Sequence, residues 1–283
     1  MKYQTKNTVR AGTAVKWFVA LIVAFFQVYP LVYTCLSGLR TQAEFQTLPP
    51  YAFPRSLYLS NYQYVITESS IPLYFLNSLI IMMAVIILVL ILSSMAAFAI
   101  AKMRFRMSHY LLVYFLLGLM IPMQVCLLPL YLVFSMLNLT DTYLGVITPQ
   151  TAFGLPLSIY LFVSFYRFLP DDLLEAGVID GCSARRLFIS IVLPMSRNTL
   201  ITLALMRAVF CWNDFIFPYT FTSSKRMQTI TLGLQDFVGA YGYTDWGKTF
   251  ATITMTILPT LLVYFFLGKY LSLIHISEPT RLR

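Results

Sequence analysis

Glu175-Ala176-Gly177, Ile179-Asp180-Gly181 and then Ile191 and Leu193-Pro194 form one closely spaced polar stretch in an otherwise apolar chain. It carries Asp171, Asp172, Glu175 and Asp180 together with Arg185 and Arg186, and no histidine or nucleophile–base pair. That chemistry is charge pairing, not bond making. Leu169-Pro170-Asp171-Asp172 reads as a helix start, with proline near the first turn and acids favoured by the helix dipole. Leu173, Leu174, Ala176 and Val178 supply an apolar face. Gly181 is free to take a positive φ and end the helix. Ser183 then caps a second helix through Arg185, Arg186, Leu187, Phe188 and Ile191, which Pro194 closes. The product is a helix–turn–helix elbow that presents Glu175, Asp180, Arg185 and Arg186. A bland alternative is an amphipathic connector resting on lipid headgroups. It explains the arginines and not the acids, which an anionic leaflet repels.

Other chemistry is sparse. Gly242, Gly247, Lys248 and Thr249 satisfy the phosphate-loop spacing G-x-x-x-x-G-K-T. That mechanism needs a buried strand before the loop and a soluble helix after it. Here no strand pattern precedes, Tyr243 and Trp246 crowd the loop, and an apolar run follows, so no nucleotide is expected there. His109 and His275 are solitary, and Cys35, Cys126, Cys182 and Cys211 show no C-x-x-C spacing. No metal, disulfide framework or cofactor is expected on this chain.

The elements that position the polar stretch are membrane helices. Of 283 residues, 59% are apolar and 11% charged, about half the charge of a soluble domain. Runs long enough for a hydrocarbon core of about 30 Å recur without strand-like alternation. Six spans are expected, near residues 17–36, 73–101, 110–134, 143–165, 199–221 and 249–271. The fourth is the weakest, because Pro149, Gly154 and Pro156 interrupt it. Such breaks are tolerated where neighbouring helices re-satisfy the backbone, which predicts a span packed inside a bundle.

The net charge of +9 is distributed as in a membrane protein. With the N-terminus inside, 14 of the 20 basic residues lie inside, and Arg40, Arg55, Lys225, Arg226 and Lys248 lie outside. The positive-inside rule therefore puts both termini and the loop 166–198 in the cytoplasm. The first apolar run follows basic residues as in a signal peptide, but it is long and lacks a small-residue cleavage site, so it reads as an uncleaved helix. Residues 1–272 form one transmembrane domain. The final stretch 273–283 reads as non-native, because nothing in it continues or caps the last helix.

The run Leu169-Pro170, Glu175-Ala176-Gly177, Ile179-Asp180-Gly181, Ile191, Leu193-Pro194 resembles the EAA loop of inner-membrane permeases of binding-protein-dependent ABC importers. The family pattern is Glu-Ala-Ala, three residues, Gly, nine residues, Ile, one residue, Leu-Pro, and every spacing matches. Gly177 stands where the family usually has alanine, and this loosens the first short helix by up to about 1 kcal/mol. Trp212-Asn213-Asp214 with Pro218, then Thr229, Leu234, Trp246, Ala251 and Pro259, resemble the carbohydrate-uptake subfamily, whose smaller maltose-type permease has six helices. The family's Gly-rich Lys-Gly ending is missing.

The resemblance implies an all-α, six-helix permease of the type I ABC importer fold in the bacterial cytoplasmic membrane, and not an enzyme. Its partners would be a second permease subunit, two ATP-binding subunits that hydrolyse ATP, and an extracytoplasmic solute-binding protein. The elbow would dock on the ATPase, with Glu175 pairing to a basic residue, Gly181 forming the turn, and Ala176 and Leu193 packing at the contact. Gly177, Asp180, Arg185, Ile191 and Pro194 belong to the same surface. The solute would be an oligosaccharide, monosaccharide or polyol, with glycerol phosphate as an alternative.

Trp212, Asn213 and Asp214 lie in the fifth span with Arg207. Ionisable groups at membrane depth are costly and are functional or paired. One reading places Trp212, Asn213 and Asp214 beside the translocation path, offering aromatic contact and hydrogen bonds to a sugar. The other is helix–helix glue. Tyr241, Tyr243 and Trp246 form an interfacial belt or meet a ligand. An ion-coupled transporter would need two related halves and midplane acids, and a membrane enzyme would need clustered His, Asp or Glu. Neither pattern is present.

Overall fold

The structure, a computed structural model, describes residues 5–103, 105–237 and 244–276, with the backbone alone for 5–12, 14, 263 and 266–276. Two compact units emerge: Met1–Ile71 with Leu234–Leu258, and Pro72–Gly233 with Pro259–Arg283. Among the described residues the regular elements are helical.

In the first unit, α1 (Thr5–Ser37) carries the first expected span, and none of its most apolar window is buried in this chain. Two short helices follow, α2 (Gln42–Thr47) and α3 (Ser60–Thr67). Thr41 and Glu44 close a reciprocal capping box on α2. Buried Arg40 ties the segment down by donating to the carbonyls of Glu44 (3.2 Å), Pro49 (3.3 Å) and Pro50 (3.3 Å). The Asn61 amide donates to the carbonyls of Gly38 and Arg40. At the start of the last long helix, Lys248 pairs with Asp245 at 3.0 Å and lies 3.9 Å over the Tyr64 ring. The described part of the phosphate-loop lookalike therefore spends its lysine on structure. Gly242, Tyr241 and Tyr243 lie outside the described residues.

In the second unit, α4 (Ile71–Lys102, whose first residue belongs to the first unit) is one unbroken helix and α7 (Tyr143–Arg167) another. More than half of the most apolar window of α7 is buried, as expected for a span inside a bundle. Two other spans are not continuous. The run expected at 110–134 is α5 (Ser108–Gly118) and α6 (Met123–Met136), bent by 93°. Pro122 causes the break: it has no N–H, and it drives the residue before it out of the helical region. The run expected at 199–221 is α11 (Arg197–Asn213), an interruption at Asp214 and Phe215, and α12 (Ile216–Phe221). Pro218 cannot donate to the Asp214 carbonyl. That carbonyl instead accepts a 2.9 Å bond from the Thr231 hydroxyl, and Asp214 itself is extended. Thr231 sits in α13 (Ile230–Gly233).

Two buried clusters hold this unit. One joins Phe98 of α4, Phe162 and Tyr166 of α7 and Leu203 of α11; the other joins Val85 and Val89, Phe134, Val146 and Phe221. The last expected span falls within α14 (Trp246–Ile276). Among the described residues, however, only three helices are long and apolar enough to cross a membrane, or five if each bent pair is one span, so the expected count of six is not matched. Helix α14 runs to Ile276, and residues 277–283, the rest of the stretch read as non-native, lie outside the described residues.

Candidate functional site

The elbow folds as its local sequence dictates. Pro170 precedes α8 (Asp171–Ile179), with Asp171 and Asp172 in its first turn. Gly181 has φ +78°, and the Ser183 hydroxyl accepts from Arg186 N to start α9 (Ala184–Leu187). One expectation fails here. Pro194 does not close the second helix. A π turn over Phe188–Val192, with Leu193 N donating to Phe188 O, runs into α10 (Leu193–Met195), where Pro194 sits in the first turn. A proline without a donor is tolerated there, and the path stops at Ser196.

The faces of the elbow are sorted differently from the simple amphipathic expectation. Leu187 and Val192 are buried in the cluster built by α4 and α7, with Leu174, Cys182 and Ile191 packed against it. Gly177 is buried as well. A Cβ there would stand 2.5 Å from Leu187 Cδ2 and 3.1 Å from Ile191 Cδ1, so glycine lets α8 approach α9 closely. Gly177 is thus a packing choice and not merely a loosening of the helix. Leu193 is half-buried, whereas Ala176 and Pro194 are exposed. Glu175, Asp180 and Arg185 are exposed, and their side chains make no hydrogen bond or ion pair with a described residue. Ile179, next to Asp180, is 85% exposed, and Phe168, just before the elbow and not marked by the sequence, is 87% exposed. A cleft of about 970 Å³ runs along the elbow, lined by Lys102, Arg106, Asp171, Glu175, Ile179 and Leu187 among others. Lys102 was also missed as a site residue. Its ammonium bridges the Leu169 carbonyl and the Asp171 carboxylate, and no short-range signal marks that pairing.

A second cavity, of about 760 Å³, opens where both spans are broken. Leu119 and Ile121 from the first break line it with Gln150, Arg207, Asn213 and Asp214. Irregular backbone at membrane depth is tolerated where it lines such a cavity. The three residues expected together separate here. Asn213 and Asp214 line the cavity, whereas Trp212 is buried, 5.1 Å edge-on to Phe75, and lines a small apolar pocket instead. The Asp214 carboxylate is committed, Oδ2 accepting from Gln150 Nε2 and Oδ1 from Ile216 N. Gln150 has no marker in the sequence, since its role appears only when α7 meets the break.

Broken helices line a partly polar cavity, and the elbow joined to them carries Glu175, Asp180 and Arg185 side chains with no partner among the described residues, an arrangement suited to a membrane permease. The chain belongs to the family of binding-protein-dependent transport system inner membrane components, whose model matches residues 91–272. It is 34% identical over 253 residues to a putative ABC transporter permease protein of Caldicellulosiruptor sp. (strain Rt8B.4), covering 89% of this chain and 91% of the relative. It is 31% identical over 252 residues to the diacetylchitobiose uptake system permease protein of Streptomyces coelicolor, covering 88% and 80%. A chain in the crystal structure of a bacterial ABC transporter involved in the import of the acidic polysaccharide alginate shares the fold. Its TM-score is 0.84 at 18% identity, over 95% of this chain and 99% of that one.

Proposed function

We propose that this permease subunit passes a carbohydrate across the cytoplasmic membrane and that its elbow seats in a separate ATP-hydrolysing subunit. The observation that carries the coupling role is the set of uncommitted charges. Glu175, Asp180 and Arg185 have no partner among the described residues, beside exposed Phe168 and Ile179. A charged rim around apolar anchors is the anatomy of a protein–protein contact. Glu175 and Asp180 take basic groups of the ATPase, Arg185 takes an acidic one, and Ala176 lies against the partner's surface. Leu187, Val192 and Ile191 hold the elbow against α4 and α7, Gly177 lets α8 close on α9 and Gly181 makes the turn between them, while Leu193 and Pro194 join Ala176 at the contact.

The cytoplasmic placement of the elbow and both termini is supported by the inside excess of basic residues. The carbohydrate is supported by the diacetylchitobiose permease among the relatives. A second permease, a pair of ATPases and an extracytoplasmic binding protein complete the transporter, and ATP is hydrolysed on the partner chains. Glu175→Lys tests the reading. The variant should reach the membrane in normal amount, yet fail to co-purify with the ATPase and lose sugar uptake. Normal assembly and transport by that variant would overturn the coupling role.

A further inference from the structure

Among the described residues two arginines are buried, and their surroundings differ. Arg40, 2% exposed, spends its terminal nitrogens on three backbone carbonyls. That is how a structural arginine is satisfied at its terminal nitrogens, although its Nε, like that of Arg207, is buried without an acceptor. Arg207, 9% exposed, makes no hydrogen bond and no ion pair with any described residue, and its Nε is fully buried without an acceptor. The Phe210 ring, 5.3 Å from its guanidinium carbon, is the polarisable neighbour it has. A cation at membrane depth without a carboxylate or carbonyl is expensive, and such groups mark a function.

The surroundings are built around it. A Cβ on Gly154 would lie 2.9 Å from Val89 Cγ2 of α4, 3.1 Å from Arg207 Nη1 and 3.6 Å from its Cδ, so α7 is notched where α4 and the arginine both come close. The guanidinium borders the 760 Å³ cavity at the helix breaks. Asp214 borders it too, but both its carboxylate oxygens are already engaged by Gln150 and Ile216. The Gln150 carbonyl oxygen is buried with no donor. The lining of one cavity therefore includes an arginine whose side chain has no acceptor and a glutamine whose buried carbonyl oxygen has no donor.

We propose that Arg207 is the anion-recognising group of a solute subsite in this cavity, and that the subsite takes a carbohydrate bearing a carboxylate. The terminal nitrogens of the fork pair with the two carboxylate oxygens, the geometry for which guanidinium is suited. The inference rests on the permease reading and goes beyond it by naming the charge of the solute.

The test uses the complete transporter in proteoliposomes with its binding protein. ATP-driven uptake of radiolabelled di- and trigalacturonate is compared with that of galactobiose, galactotriose and diacetylchitobiose, for the wild-type chain and for Arg207→Gln and Arg207→Met. The expected result is uptake of galacturonate oligomers by the wild type, at least tenfold slower in either variant, with any neutral-sugar uptake slowed by a clearly smaller factor. Acidic uptake unaltered in the variants overturns the proposal. So do wild-type import of neutral sugars alone, equal loss of both sugar classes, or failure of both variants to accumulate in the membrane, which would make Arg207 structural. Absence of ATP-driven import of every sugar tested would instead overturn the carbohydrate-permease reading, and this proposal with it.

Discussion

Lys102 Nζ stands 2.6 Å from Asp171 Oδ1 and 2.6 Å from the carbonyl oxygen of Leu169. The last residue of α4 is thereby fastened to the entrance of α8. The lysine side chain is 5% exposed and the aspartate 65%, so the pair is shielded from one side only. A contact of this kind contributes about 1 kcal/mol. Lys102→Met keeps the apolar stem and removes the fastening. Amide hydrogen exchange in α8 should then rise roughly fivefold, while α7, held by its own burial, stays protected. Mass-spectrometric exchange on the purified subunit reads both segments in one experiment. Unchanged exchange in α8 would show that the packing of Leu174 and Gly177 suffices without the lysine.

Gly181 separates two effects that usually come mixed. Its φ is +78°, and a Cβ there would meet nothing within 4 Å. Alanine at this position therefore costs only the left-handed backbone, about 1–2 kcal/mol. Gly181→Asn should cost less, because asparagine visits that region more readily. The order glycine, asparagine, alanine in thermal stability of the solubilised subunit is the expected outcome, and assembly with the ATPase should fall in the same order. An alanine variant as stable as the wild type would mean that the elbow can turn by another path.

What the sequence disclosed follows from how local each interaction is. The elbow was legible because its determinants act over a few residues: Pro170, the acids after it, Gly181 and Ser183 each act on backbone next to them. The prolines of the spans were ambiguous for the opposite reason. Pro149 and Pro156 sit inside an unbroken α7, whereas Pro122 and Pro218 accompany breaks. The residue type is the same in each case. What differs is whether distant groups pack around the weakened backbone or re-satisfy it elsewhere, as Thr231 does for Asp214. Gln150 at Asp214 and Lys102 at Asp171 lie 64 and 69 positions apart, beyond any short-range pattern.

The turn between α6 and α7 should respond to acid. Asp141, at a φ of +56°, accepts from Ser223 N and Ser224 N through one carboxylate oxygen. Burial raises its pKa, but the two amides outweigh burial and hold it below the ordinary 3.8. A group whose folded pKa is depressed stabilises the fold above its unfolded value, and that contribution is lost as pH falls through the folded one. Asp141→Asn should thus melt at a lower temperature than the wild type at pH 7. The gap should begin to close as pH drops below about 4 and vanish once the carboxylate is protonated in both states. Melting curves of both proteins between pH 7 and pH 3 check this. A gap that persists at the acid end would assign the difference to shape and not to charge.

The break at Asp214 can be dissected by a double-mutant cycle. Pro218 withholds the N–H that an uninterrupted helix would give to Asp214 O, and the Thr231 hydroxyl supplies a bond of 2.9 Å in its place. Thr231→Val keeps the shape and leaves that half-buried carbonyl without a donor, at a cost of about 1–3 kcal/mol. Thr231→Ser retains the hydroxyl and should cost less. In a Pro218→Ala background the backbone regains its own donor, so Thr231→Val should cost about 1 kcal/mol less than it does beside Pro218. The two residues are then coupled, although they lie in different elements. The Pro218→Ala chain should also extend α11 across the interruption and narrow the cavity that Asn213 and Asp214 line. Labelling of an Asn213→Cys reporter by a water-soluble maleimide, after the four native cysteines are replaced, should therefore slow in the alanine background. Additive stabilities would detach Pro218 from the break. Unchanged labelling would mean that Asp214, through its own carboxylate bond to Ile216 N, opens the helix without the proline.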